Sequence, residues 1–246
     1  MTRDGLASGG EAPGPGRDPA QQKPGHHRGG RHGSGAYGLA RSGFIEYDRV
    51  LFFSDAVFAI AITVLAVSLR VPAGGRIVSI TRLLGSAAPG LLAFGISFAV
   101  IGLFWLGHHG IFRYVTAFDR PLIVLNLLFL GTVAFLPYPT EVLSAGHATR
   151  SGAEVFYAIS VAAAGLVEGA VWQHAVTTPG LADPAAARVR TYFTLRIARI
   201  PVIFVASIPV ALVAPGLGTY VWILAGVAGI AINRFVPGPD VPGRDR

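Results

Sequence analysis

The chain has 246 residues, 52% of them apolar and only 13% charged, with a net charge of +7 and no cysteine. So little charge cannot cover a soluble domain, for which about a quarter is usual, and the apolar residues fall in blocks near the ~20 residues that cross a bilayer as a helix. The missing cysteine excludes a disulfide framework, thiolate metal ligation and a cysteine nucleophile, and basic residues lying mostly in tails and short loops fit membrane orientation rather than nucleic acid.

Residues 1–43 are rich in Gly, Pro, Arg and His and almost lack large apolar side chains. Such a segment cannot bury enough surface to offset its ordering entropy, so it is expected as a disordered cytoplasmic tail. His26, His27 and His32 could hold a metal loosely, or simply belong to a solvated basic tail. No apolar h-region follows Met1, so a secretory signal is not expected.

Six apolar blocks make up an expected all-α membrane domain over residues 44–236, with a short cytoplasmic tail at 237–246. They run from about Phe44 to Leu69, Leu83 to Phe112, just after Pro121 to Ser144, Ala153 to His174, Thr191 to Val213 and Leu217 to Phe235. Pro72, Pro121, Pro184 and Pro215 lie between blocks, where a residue that cannot continue a helix belongs. Pro89, Pro201 and Pro209 lie inside blocks, and Pro137 and Pro139 near the outer end of the third, where they are expected to kink or break it. With the N-terminus inside, fifteen Lys and Arg fall on the inner side against four outside, leaving Arg49 uncounted. That bias places both termini in the cytoplasm of a cell-membrane protein, although Arg70, Arg76 and Arg82 run against it.

The first block carries the most information. Ile60, Val64 and Val67 fall within about 60° of one another at ~100° per residue, on one aliphatic stripe. Ser54 points about 120° and Asp55 about 140° away from Ile60, toward neighbouring helices. A carboxylate inside a span costs roughly 2.5–3.5 kcal/mol, so Asp55 needs a partner. The stripe itself could equally line a pore, pack in a bundle or face lipid.

In the second block Trp105 shares a helix face with His108 and His109. Adjacent histidines diverge by about 100°, which makes them a poor chelating pair, and hydrogen bonds to other helices are the expected role. Asn126 stands alone in the apolar third block and should bond across helices, with Ser54, Asp55 and a histidine as the expected partners. In the fourth block Glu168 is either a functional intramembrane carboxyl or a partner of Arg196 or Arg199. Trp172 and His174 carry no distinct signal. No Ser-His-Asp set, phosphate loop or carboxylate pair appears, so neither an enzyme nor a cofactor is expected.

These residues resemble the endosomal and lysosomal potassium channel family. The resemblance rests on Arg-x-x-x-Phe-Ser-Asp (Arg49, Phe53, Ser54, Asp55) with the Ala-Val-Phe-Ala-Ile-Ala-Ile-Thr that follows. It rests also on Phe-Trp-x-x-His-His ending at His109 and on the run from Leu125 to Thr140. Together these cover about residues 46–144, and the last three spans match only in number and hydropathy. The resemblance implies a six-span subunit that assembles as a homotetramer in the lipid bilayer, conducting potassium ions between its first helices. Its constricting positions fall on Ile60, Val64 and Val67, with Thr63 one step from the stripe, and its signature polar residues knit the first helix to its neighbours. Ala56, Ser68, Gly107 and Gly110 depart from the family pattern. Ser68 stands where an acid is common, which removes negative charge near one pore mouth, and the resemblance to bacterial members implies moderate or weak potassium over sodium selectivity. The alternative from another class is a proton-coupled secondary transporter using Glu168 or a histidine.

Overall fold

In a computed structural model the described residues are 34–69, 80–145 and 149–235, with side chains from Tyr47 onward apart from 80, 82–84, 86 and 145. The backbone among them is helical: α1 Ser34–Val67, α2 Ile80–Phe112, α3 Arg120–Phe135, α4 Pro137–Ala145, α5 Arg150–Thr177, α6 Ala186–Val213, α7 Gly218–Val221 and α8 Ile223–Phe235. These elements supply six stretches long and apolar enough to cross a membrane: Tyr47–Val67, Ala87–Phe112, Arg120–Ser144, Arg150–Thr177, Ala186–Val213 and Gly218–Phe235.

The chain divides into a unit of residues 1–40 and a unit of residues 41–246. Of the first, only the helical backbone from Ser34 is described, so α1 begins ten residues inside the segment expected as a tail. That segment has no proline after Pro24, and nothing there forbids a helix. The expected tail elsewhere in residues 1–33, its three histidines, and the C-terminal tail at 237–246 lie outside the described residues.

Proline punctuation accounts for the breaks. The third span is interrupted at Leu136, one residue ahead of Pro137, where the Leu136 N–H tightens onto the Val133 carbonyl at 3.1 Å. The chain then continues as α4, with the Thr140 N–H on the Leu136 carbonyl at 3.2 Å. Pro89 lies within α2, and Pro201 and Pro209 within α6, with the helices continuing through them.

α5 is the packing centre, lying most extensively against α6 and then α3. The α5–α6 approach is close because Gly165 leaves room for the Pro201 ring; a β-carbon at 165 would fall 2.7 Å from Pro201 Cδ. Two aromatic groups fill the interior. Phe58, Phe104, Phe112, Phe129 and the His108 imidazole interleave between α1, α2 and α3, and Tyr157, Phe204 and Trp222 do so between α5, α6 and the last span.

The loops after α2 and after α5 meet through Thr116 N–H on Leu181 O and Asp183 N–H on Tyr114 O, both 2.8 Å. Asp119 caps α3, accepting from the Leu122 N–H at 2.8 Å, and its other oxygen meets His174 Nε2 at the end of α5 at 2.9 Å. Desolvation works to raise the Asp119 carboxyl, but the Leu122 N–H and then His174 outweigh it and hold it below the usual carboxylate range.

Candidate functional site

α1 has two faces with different fates. Phe58, Ala61 and Leu65 are buried against the rest of the subunit, and Ser54 with them. On the outward side lie Ile60 at 61% exposure, Val64 at 47% and Val67 at 84%. Three aliphatic side chains on one stripe are thus left without cover by their own subunit. Thr63 is also exposed, with its hydroxyl donating to the Ile60 carbonyl at 2.8 Å. Phe53 is half exposed on the same side, and Arg49 is exposed near the start of the span.

The buried face is pinned by a polar relay. Ser54 donates to the Val50 carbonyl at 2.8 Å and accepts from Asn126 Nδ2 at 3.2 Å. Asn126 Oδ1 in turn meets His108 Nε2 at 2.9 Å. With the amide nitrogen committed to Ser54, the oxygen accepts, so His108 carries its proton on Nε2. All three side chains are buried, and the relay ties α1, α2 and α3 together where an unpaired polar group would be costly.

Asp55 is not part of that relay. Its carboxylate accepts from Trp105 Nε1 at 2.9 Å on the exposed flank of α1, and the Trp105 ring stacks on His109 at 5.7 Å between centroids. The expectation that Asp55 joins Ser54 in bonding to a histidine and Asn126 is therefore replaced by this indole contact. Neighbouring residues on a helix diverge by about 100°, so only one of the pair faces the interior.

Glu168 is buried against α2 at Gly107, whose missing side chain makes its space, and Glu168 Oε1 has no hydrogen-bond partner among the described residues. Glu168 makes no direct hydrogen bond or ion pair with Arg196 or Arg199, although both guanidiniums act on its charge. Arg199 donates to the Ala225 and Arg196 carbonyls, and Arg196 donates to the Tyr192 hydroxyl. His174 is engaged by Asp119. Sequence reasoning missed a second buried cluster, in which Ser97 donates to Tyr157 at 2.9 Å and meets the Thr140 hydroxyl at 2.8 Å. Isolated Ser97 and Thr140 in apolar blocks were the available signal. No group of three or more His, Cys, Asp or Glu among the described residues could hold a metal.

The family described as endosomal/lysosomal potassium channel TMEM175 matches residues 49–137, the stretch containing the stripe and the relay. A potassium channel of Streptomyces collinus is 39% identical over 184 residues, covering 70% of this chain and 89% of that one. The chain belongs to the TMEM175 family. A potassium channel of Chamaesiphon minutus is 39% identical over 142 residues, 55% of this chain and 69% of that relative. The crystal structure of a lysosomal potassium-selective TMEM175 homolog from the same organism superposes with a TM-score of 0.66 at 31% identity, covering 76% of this chain and 98% of that one. A bovine relative named an endosomal/lysosomal proton channel TMEM175 is 30% identical over 145 residues, and there this chain spans only 30% of the relative. The TMEM175 likeness thus reaches well past the first three spans, which is where the sequence motifs stop.

Proposed function

We propose that this protein is a potassium-permeable cation channel of the cell membrane, built from four copies around a pore lined by α1. The carrying observation is the uncovered stripe of Ile60, Val64 and Val67. In a closed symmetric assembly the same stripe from each copy meets on the axis, and an apolar ring too narrow for hydrated ions is a barrier through dewetting. Ile60 forms the constriction, Val64 and Val67 extend it, and Thr63 offers hydroxyl oxygen to a partly dehydrated ion. Both termini face the cytoplasm. Selectivity for potassium over sodium is moderate or weak, since the stripe offers no cage of backbone carbonyls.

The Ser54–Asn126–His108 relay supports this reading by fixing the rotation of α1, so that the stripe cannot turn inward without breaking the Asn126–Ser54 hydrogen bond. The family's channel names support conduction over carrier transport. Reconstitution in a planar bilayer tests it. Discrete unitary potassium currents are expected; a saturable, proton-dependent flux without unitary steps that is lost in Glu168→Gln would instead favour the transporter reading.

A further inference from the structure

A groove between α5 and α6 encloses about 590 Å³. Trp172, Ile197 and Pro201 form its buried floor, and Leu166, Val202 and Val205 are its exposed rims. It exists because Gly165, Gly169, Ala198 and Ala206 stand along it, where larger side chains would fill it. Along α6 the lining reaches from Thr194 to Ala206, about 18 Å at 1.5 Å per residue. That is a little more than half of the ~30 Å bilayer core, the depth that one acyl chain spans in its own leaflet.

The end nearest the α5–α6 loop is polar. Arg190, one turn before Thr194, donates from Nη2 to Gln173 Oε1 at 3.3 Å. Gln173 Nε2 donates to the Thr194 hydroxyl at 3.3 Å, and Trp172 Nε1 donates to the same oxygen at 3.2 Å. Two incoming donors occupy both Thr194 lone pairs and leave its proton to give, and Arg190 keeps most of its five N–H donors. A phosphate can accept from both side chains, and a cation from neither. Among the described residues Arg190 is paired with the neutral Gln173 and with no carboxylate. The carboxylates of the adjoining loops are engaged elsewhere, Asp183 by the Ala185 N–H at 2.7 Å and Asp119 by the Leu122 N–H and His174. Arg188 and Arg196 lie toward the same end of α6. The fifteen Lys and Arg on this side outnumber all 13 Asp and Glu of the chain, so the side is net positive with every residue counted.

We propose that this groove seats an anionic phospholipid from the leaflet on the side of the α5–α6 loop, the cytoplasmic one in the orientation given above. One acyl chain lies over Trp172, Ile197 and Pro201, and the headgroup phosphate is held by Arg190 and Thr194. The guanidinium offers a planar fork of donors that matches phosphate, and Gln173 holds that fork at the end of the groove. The acyl chain supplies contact area without selectivity, and Arg190 sets the preference for a negative headgroup over a zwitterionic one. The site involves only α5 and α6 and does not rest on α1 lining the pore.

Native mass spectrometry of the full-length protein in detergent tests this, with phosphatidylglycerol and phosphatidylcholine of the same acyl chains titrated separately. Phosphatidylglycerol is expected to be retained several-fold better. Arg190→Gln should weaken its binding about five-fold, the worth of one basic side chain at an anionic lipid surface, and leave phosphatidylcholine unchanged. Arg188→Gln, an equally exposed change two residues away, should leave both lipids at the parental level. Ala198→Phe, which fills the groove, should weaken phosphatidylglycerol binding with Arg190 still in place. Equal retention of the two lipids by the parent overturns the proposal. So does an equal loss in Arg188→Gln and Arg190→Gln, which would reduce the effect to diffuse surface charge. Displacement of the lipid by excess inorganic phosphate would assign the polar end to a free anion and overturn it. Ala198→Phe that breaks the oligomer in a protein without bound lipid would show a second copy in the groove, which overturns it as well.

Discussion

At the scale of single residues, the polar groups of α1 divide the work between holding the helix and facing outward. Asn126 is the centre of the hold, since it both donates to Ser54 and accepts from His108. Asn126→Leu would strand a buried imidazole N–H, at a cost of about 1–3 kcal/mol, while Ser54 keeps its bond to the Val50 carbonyl. A clear drop in melting temperature in detergent is the expected outcome, together with weaker assembly. Trp105→Phe should be milder, since it removes one indole donor from a carboxylate that is already exposed. Thermal unfolding of the two variants side by side checks the ranking, and a reversed order would place the hold of α1 on Asp55 instead. The sequence indicated that Ser54 and Asp55 need partners. It did not indicate which of the two turns inward, because that depends on where α2 and α3 settle around α1.

At the scale of helices, close approach and capping set the packing. Gly165→Ala would push a β-carbon onto the rigid Pro201 ring and is expected to cost about 1–3 kcal/mol by overpacking, whereas Gly169→Ala meets nothing nearer than 3.8 Å and should be tolerated. Melting of the two variants under one condition tests this, and equal stability would mean that α5 and α6 have slack to separate. At the loop side, Asp119 joins the start of α3 to the end of α5. Its carboxyl is depressed on folding, so it contributes stability above the unfolded carboxylate value of about 4 and loses it as pH falls through the lower folded value. Asp119→Asn keeps a capping oxygen but removes the charge. The gap in melting temperature between variant and parent should therefore hold steady at neutral pH and close in acid. The spans themselves were legible as blocks of hydropathy punctuated by proline, because lipid obliges a spanning backbone to satisfy itself as helix. The break at Leu136 was foreseeable from Pro137. That it brings Glu141 beside Thr63 and Ser68 was not, since the position of α4 against α1 is a tertiary outcome with no local signature.

At the scale of the whole molecule, the proposed pore needs several copies of the stripe on α1. A lone subunit leaves Ile60, Val64 and Val67 without protein cover, and only a symmetric ring of them encloses a path. Native mass spectrometry in detergent is expected to find a tetramer, and a strictly monomeric protein that still conducts would remove the proposed pore. The most direct measurement is potassium efflux from liposomes, normalised to reconstituted protein, for two opposite changes at Ile60. Ile60→Asn should wet the apolar ring and raise the flux, while Ile60→Phe should narrow it and lower the flux. The same pair of changes at Ile62, about 160° around the helix and only half exposed, should act on packing instead. Unchanged flux in both Ile60 variants, with the assembly intact, would contradict the account, because the first helix would then not line the conduction path.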